Sequence, residues 1–338
     1  MFFDILYKKD KGVFMKTKLE DVAQLANVSK TTVSRVLNNR GYISEKTKEK
    51  VFQAMKELDY HPNILARQLY QQKTYIIGLL FPMVSNPFFG ELVEELEKGL
   101  YRKGYKVIIG NSLNNPQKEK DYLNQLLTKQ IDGLIVGTHN SGIREYEYKN
   151  LPIVSIERTV SKEVPVIECD NYNGGVQATK YLYEAGCRSI AHTTGRTQLD
   201  MPSDLRDKAY VDTMNSLGLK PKNIPIYFDM SIEEKQKHFE NMFAQYPEID
   251  GVFAGNDIDA AMILKIARQL GKKIPENFRV IGFDGTKLCR SLLPDMPTIV
   301  QPIELMASNA IDILEKKIQG EKVYKKVTLP VTLYRGGI

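Results

Sequence analysis

The chain has 338 residues, enough for two to three domains. Its 42% hydrophobic and 26% charged residues are the balance of an ordinary soluble globular protein. No apolar run approaches the roughly 18 residues of a membrane span. Three scattered cysteines, Cys169, Cys187 and Cys289, read as thiols of a reducing compartment rather than a disulfide or metal set. The net charge of +6 is uneven: residues 15–75 carry 11 Lys+Arg against 6 Asp+Glu, residues 1–14 carry 3 against 2, and residues 76–338 balance. The basic excess sits on a small N-terminal segment, an electrostatic footprint for nucleic acid.

Residues 1–14 lack the apolar stretch and cleavage site of a signal peptide. The run Lys11-Gly12-Val13-Phe14-Met15 back-translates to a ribosome-binding sequence before a start codon, so Met15 is the expected natural start and 1–14 a non-native or disordered leader. Intact mass of the native protein checks this. Beyond it, Leu19, Val22, Ala23, Leu25 and Ala26 have helical spacing, and Asn27-Val28-Ser29 reads as a tight turn. Ser29 is a natural N-cap for a second helix to about Leu37, burying Val33, Val36 and Leu37. Ser44 caps a third, over about 45–58, with Val51, Ala54, Met55 and Leu58 inward. Two short helices across a three-residue turn, with a supporting helix, make a helix-turn-helix unit over 15–62. Its second helix offers Lys30, Thr31, Thr32, Ser34, Arg35 and Asn38 to phosphates and base edges.

The runs "LEDVAQLANVSKTTVSRVLN" and "KTKEKVFQAMKELDYHPNILARQL" resemble the headpiece of the LacI/GalR family of bacterial transcription regulators. The resemblance implies that Lys30, Thr31 and Arg35 read bases. It implies that Asn63 opens a hinge helix and that Leu69 is the apolar wedge kinking DNA at the operator centre. The hinge and linker are expected over 63–74. A helix of about ten residues is marginal alone in water, so it is ordered only against its dimer mate and DNA.

After Lys73-Thr74 strands and helices alternate. "YIIGLLF", "YKVIIG", "DGLIVG" and "PIVSI" are strands, with helices over about 88–102 and 117–129. "SIAHTT", "IPIYF", "GVFAG" and "RVIGF" form a second series, with helices near 173–185, 204–217, 232–245 and 257–271. This alternation implies parallel sheets covered on both faces. A helix over about 303–319 and an apolar strand "VTLPVTLY" follow. The family resemblance implies that these cross back between lobes. The expected fold class is thus a small all-α helix-turn-helix headpiece plus an α/β two-lobed periplasmic-binding-protein-like (type I) sensor over 75–338. Lobe one is expected at about 75–168 and 298–326, lobe two at about 169–297 and 327–338.

Ligands of such sheets sit beyond the carboxyl ends of the strands. There the sequence places Asn86, Phe88, Phe89, His139, Glu157, Arg158, Arg206, Asn256, Asp284 and Gln301. Sugars need this mixture: aromatic faces for their C–H patches, planar polar groups for paired hydroxyls. The set also resembles the pocket of ribose-type sugar-binding proteins. Glu157 stands where that pocket usually has aspartate, which narrows the cavity and disfavours ribose itself. "GTHNSGIREYEYKNLPIVSIER" and "CDNYNGGVQATKYLYEAGC" resemble Gram-positive sucrose-operon repressors, implying a fructose-like effector.

The rivals are an enzyme, a secreted sugar carrier, and a global catabolite regulator of the same family taking a phosphorylated carrier protein as corepressor. No GxSxG, HExxH, P-loop or post-strand GxGxxG motif is present, and His61, His139, His192 and His238 lack metal-ligand spacing. Neither enzyme, metal nor cofactor is expected. The attached headpiece disfavours a carrier. The reading is a cytoplasmic, nucleoid-associated homodimeric repressor of carbohydrate genes, with pseudo-palindromic operator DNA, a small sugar and itself as partners, and no membrane.

Overall fold

The computed structural model describes residues 17–38, 40–61, 73–113, 115–140, 142–195 and 201–337. The expected leader 1–14 and residues 63–72 of the expected hinge and linker 63–74, with Asn63 and Leu69, lie outside the described residues. The chain divides into two units, 1–73 and 74–338.

In the first unit, α1 (Leu19–Leu25), α2 (Lys30–Leu37) and α3 (Glu45–Glu57) close on Val22, Ala23, Ala26, Val33, Val36, Val51 and Ala54. The turn is made by Asn27 at φ 52°, a left-handed conformation that asparagine tolerates better than most residues. The Ser29 hydroxyl accepts from the Thr32 N–H at 3.0 Å, and Ser44 accepts from the Thr47 N–H at 3.3 Å. Each thereby satisfies an orphan donor of its helix. Leu25, one of the apolar residues whose spacing marks α1, is exposed. In a helix of seven residues the buried stripe is filled by Val22 and Ala23, and Leu25 lies off it.

The second unit opens with β1 (Ile76–Phe81), α4 (Pro87–Arg102), β2 (Lys106–Asn111), α5 (Pro116–Leu127), β3 (Gly133–Val136), β4 (Ile153–Ile156) and β5 (Val166–Cys169). It continues with α6 (Asn171–Glu184), β6 (Ile190–Thr194), α7 (Asp204–Ser216), β7 (Asn223–Pro225), α8 (Ile232–Gln245) and β8 (Gly251–Phe253). Then come α9 (Asp257–Gln269), β9 (Arg279–Asp284), α10 (Lys287–Leu292), β10 (Thr298–Val300), α11 (Ile303–Ile318), β11 (Lys326–Leu329) and β12 (Thr332–Tyr334). Among the described residues these strands form two six-stranded sheets, β11-β5-β4-β3-β1-β2 and β12-β10-β9-β8-β6-β7. Every pairing is parallel except β10 with β12.

Several elements depart from the sequence reading. "VTLPVTLY" is two strands in different sheets, β11 on β5 and β12 on β10, separated at Pro330. Proline has no N–H to carry a ladder onward. The lobe boundaries move with this: β10 lies in the second sheet and β11 in the first, so the expected switches at 298 and 327 each come a few residues late. Strand β5 and helix α10 were not expected, and β7 stops at Pro225, short of the "IPIYF" run. Helix α11 returns to the first lobe, where Met306, Ala310, Ile311 and Leu314 pack with Leu92, Leu96 and Leu100 of α4.

The chain turns back from β9 at Gly285, whose φ is +60° and where an added Cβ would lie 2.6 Å from the Val300 Cα. Both the left-handed backbone and the neighbouring strand exclude a side chain there. Gly285→Ala should therefore cost about 1–3 kcal/mol of stability, read as a lower midpoint in thermal unfolding; an unchanged midpoint would show that β9 and β10 can separate at no cost.

Candidate functional site

The two units carry separate candidate surfaces. On α2, Lys30, Thr31 and Arg35 are exposed, while Thr32, Ser34 and Asn38 are half-buried. Lys30 pairs with Glu20 of α1. The Arg35 Nε donates to the Arg40 carbonyl at 3.3 Å. Thr32 shares a 2.8 Å hydrogen bond with the Ser29 hydroxyl, and Asn38 Nδ2 donates to the Ser34 carbonyl at 2.8 Å. Thr32 and Asn38 therefore spend groups on the two ends of their own helix, while Lys30, Thr31 and Arg35 keep exposed side chains.

In the sensor unit a cleft of about 570 Å3 lies between the lobes. Asn86, Phe88, Phe89, His139 and Glu157 line it from the first lobe, and Arg206, Asn256, Asp284 and Gln301 from the segments of and following the second. Asn86 caps α4, its Oδ1 accepting from the Phe88 N–H at 2.9 Å, which sets the two phenylalanines at the strand end. Of the ten sensor residues read from the sequence, Arg158 is placed differently. It is buried, is not among the described residues facing the cleft, and donates from Nη2 to the Asn140 carbonyl at 2.8 Å.

The polar side chains are wired across the lobes. Glu157 follows β4 with φ 52° and accepts from the Cys169 N–H and, at 2.9 Å, from Asn171 Nδ2. Asn171 Oδ1 in turn accepts from Arg206 Nε at 2.6 Å, and Arg206 Nη1 donates to the Gly255 carbonyl at 3.0 Å. The guanidinium lies 3.4 Å over the Phe283 ring. Loss of water pushes the Glu157 carboxyl up, while Arg206 pulls it back down.

Asp284 ends β9 at φ 113°, a second strained residue at a strand end. Desolvation and the nearby Asp257 push its carboxyl well above the usual range, opposed by Arg206 and by the Gln301 amide, which donates to it at 2.8 Å. The Gln301 Oε1 is buried and has no hydrogen-bond partner among the described residues. A buried acceptor left unmade is costly, and a ligand hydroxyl is the group that would satisfy it. Asn256 caps α9 through the Asp259 N–H at 2.9 Å and donates to the Asp259 carboxylate at 2.8 Å.

A model of periplasmic binding proteins and the sugar-binding domain of the LacI family matches residues 74–335, and one of bacterial regulatory proteins of the lacI family matches 18–63. The sucrose operon repressor of Pediococcus pentosaceus is 43% identical over 324 residues, covering 95% of this chain and 99% of that protein. The chain belongs to the LacI family. Family members are regulators, and this one is not an enzyme. Among solved structures, a periplasmic binding protein/LacI transcriptional regulator from Alkaliphilus metalliredigens complexed with D-xylulofuranose is similar. It has a TM-score of 0.71 and 32% identity, covering 77% of this chain and 97% of that one. A Lac repressor dimer bound to operator and an anti-inducer aligns with TM-score 0.82 and 25% identity, covering 95% of this chain and 98% of that one.

For a LacI-family chain, several cleft residues carried no local sequence signal. Lys235, Asp259 and Phe228 line the cleft and Asn171 is buried behind it, holding Arg206; all four were missed, three because they lie inside helices and Phe228 because it falls within a run of strand composition. Lys235 Nζ donates to Asp259 at 2.8 Å. Asp257, the first residue of α9, is not among the cleft residues read from the sequence. It is buried, accepts from the Thr298 hydroxyl at 2.6 Å and the Gly285 N–H at 2.8 Å, and so fastens β9 to β10 beneath Asp284.

Burial raises the Asp257 carboxyl from 3.8 to about 6. Between those values the folded chain keeps a proton that the unfolded chain has lost, so this group's contribution to stability rises as pH falls through that window. Wild type should gain stability relative to Asp257→Asn when denaturant unfolding is moved from pH 7 to pH 4.5. A difference that does not vary with pH would mean that Asp257 is ionised throughout.

Proposed function

We propose that this LacI-family chain is a homodimeric repressor of carbohydrate-utilisation genes, binding a pseudo-palindromic operator through its headpiece and controlled by an uncharged, fructose-like sugar in the interlobe cleft. The observation that carries the reading is the convergence of Phe88 and Phe89 with Glu157, Arg206, Asp284 and Gln301 on one cleft, with a buried Gln301 oxygen awaiting a donor. A sugar presents apolar C–H faces and rows of hydroxyls that both donate and accept, which matches that set. The likeness to a sucrose operon repressor over nearly the whole chain supports the same class of genes.

The cleft's charge favours a neutral ligand. Its described lining has six carboxyl groups, from Glu157, Asp204, Asp207, Asp229, Asp259 and Asp284, against two cations. Both cations are engaged, Arg206 by Asn171 and the Gly255 carbonyl and Lys235 by Asp259. A sugar phosphate would therefore find neither described cation of the lining free to pair with it. Control follows from differential binding: a sugar gripped by Asn86 and Asp284 favours one interlobe angle, and a ligand equally at home in two angles shifts neither.

A panel of D-fructose, D-ribose, sucrose and fructose 6-phosphate, read by thermal shift and operator binding together, tests the reading. A neutral sugar should raise the midpoint and change operator affinity, with the phosphate ester inactive. Asp284→Ala should remove the sugar response while leaving sugar-free operator binding intact, since it deletes a carboxyl able to hydrogen-bond a ring hydroxyl, about 0.5–1.5 kcal/mol for each bond. Normal sugar response in a folded Asp284→Ala protein would place the effector elsewhere. In the headpiece, Arg35→Ala should cost about 1–3 kcal/mol of specific binding and relax selectivity at one position of each half-site. Equal losses on operator and random DNA would make Arg35 a phosphate contact only.

A further inference from the structure

Three aromatic rings from the two lobes meet edge to face in the cleft. The Phe228 ring lies 4.6 Å from that of His139 at 74°, and 6.1 Å from that of Phe89 at 85°. Phe89 and His139 complete the triangle at 6.3 Å and 68°. Phe89 belongs to α4 and His139 follows β3, both in the first lobe, whereas Phe228 follows β7 of the second. Phe228 nonetheless packs on the hydrophobic core of the first lobe.

Sheet order gives this contact leverage. The chain passes between lobes beside β5, β10, β11 and β12, which lie along one edge of each sheet, and β7 is the opposite edge strand of the second. Rotation about the crossovers moves that far edge most, so a contact there is made or broken by opening and closing. Desolvation and Arg158 pull the His139 imidazole down to about 4, against a smaller opposing effect of Asp229, so the ring is neutral near pH 7 and meets Phe228 as an aromatic face. Sugar-lining rings in the first lobe thereby acquire a partner from the second.

We propose that Phe228 is a specificity-determining residue of the effector cleft, an aromatic clasp that closes the second lobe onto His139 and Phe89 and walls the site against a sugar's C–H face. This rests on the reading of the cleft as a sugar site. Two edge-to-face pairs favour the closed arrangement by about 5- to 100-fold beyond the area they bury. Apparent affinity falls with the fraction of competent protein, so losing the clasp weakens the sugar by a like factor.

The test uses full-length protein with D-fructose as probe. Phe228→Ala should bind it about 5- to 100-fold more weakly, through faster dissociation, and Phe228→Tyr should restore most of the loss. Paired with His139→Ala, the double variant should lose less than the product of the two single losses. Affinity unchanged in Phe228→Ala, or losses that multiply, would overturn the clasp. A second arm contains no sugar. The chain has no tryptophan, so Phe228→Trp is a single reporter. Its emission should be that of a shielded indole and should move red when His139→Ala is added. Solvent-like emission in both would remove the clasp whatever the cleft binds. Shielded emission with no response to any sugar would instead keep the clasp and defeat the effector reading.

Discussion

Two acidic side chains, Glu157 and Asp284, stand at the ends of parallel strands in opposite lobes, where water is largely excluded, and much of the cleft serves to hold them there. Taking a carboxylate out of water is costly unless it is hydrogen-bonded or neutralised. Both residues also sit in left-handed backbone that a side chain rarely adopts. Arg206 answers both at once, since its charge opposes the rise of each carboxyl while Asn171 and the Gly255 carbonyl fix its plane. Its stacking on Phe283 explains why an arginine suits the place better than a lysine, which has no planar fork to lay on a ring.

The same wiring joins the lobes. Glu157 belongs to the first sheet, and Asn171, which it binds, opens the second lobe just after the chain has crossed. Gln301 does the converse: it follows β10 of the second sheet, holds Asp284, and precedes α11 of the first lobe. Polar contacts cluster beside the crossovers and aromatic ones gather at the far edge. On the proposed reading, this arrangement would let the far edge open while the crossovers keep their hydrogen bonds, as a ligand that biases one interlobe angle requires.

The strand ends were legible because parallel sheets announce themselves as short apolar runs, and in them the site residues come directly after the run. Glu157, Asp284 and Gln301 were placed that way, and each lines the cleft. Arg158 was read into the cleft on the same logic, and the structure turns it instead onto Asn140. Glu157 and Arg158 both lie beyond the last strand residue, Ile156, where the left-handed turn at Glu157 breaks the strand's alternation and composition does not say which side chain faces the cleft. Phe228 was missed for the opposite reason: "IPIYF" has strand composition throughout, and only the structure ends the strand at Pro225, leaving Phe228 to reach the other lobe.

By itself, the sequence determined the class of most elements, the helix-turn-helix with its Ser29 and Ser44 caps, the two βα series, and many of the residues that lie at strand ends. These follow from local rules: side-chain period, capping chemistry, and the position of a residue after an apolar run. Tertiary structure alone decided which sheet each late strand joins. "VTLPVTLY" is compatible with either sheet in composition, and the choice rests on open edges at β5 and β10 that only the assembled lobes present. It also decided which polar groups pair, because Glu157, Asn171 and Arg206 are distant or unremarkable in the chain and become one network only when the two lobes face each other.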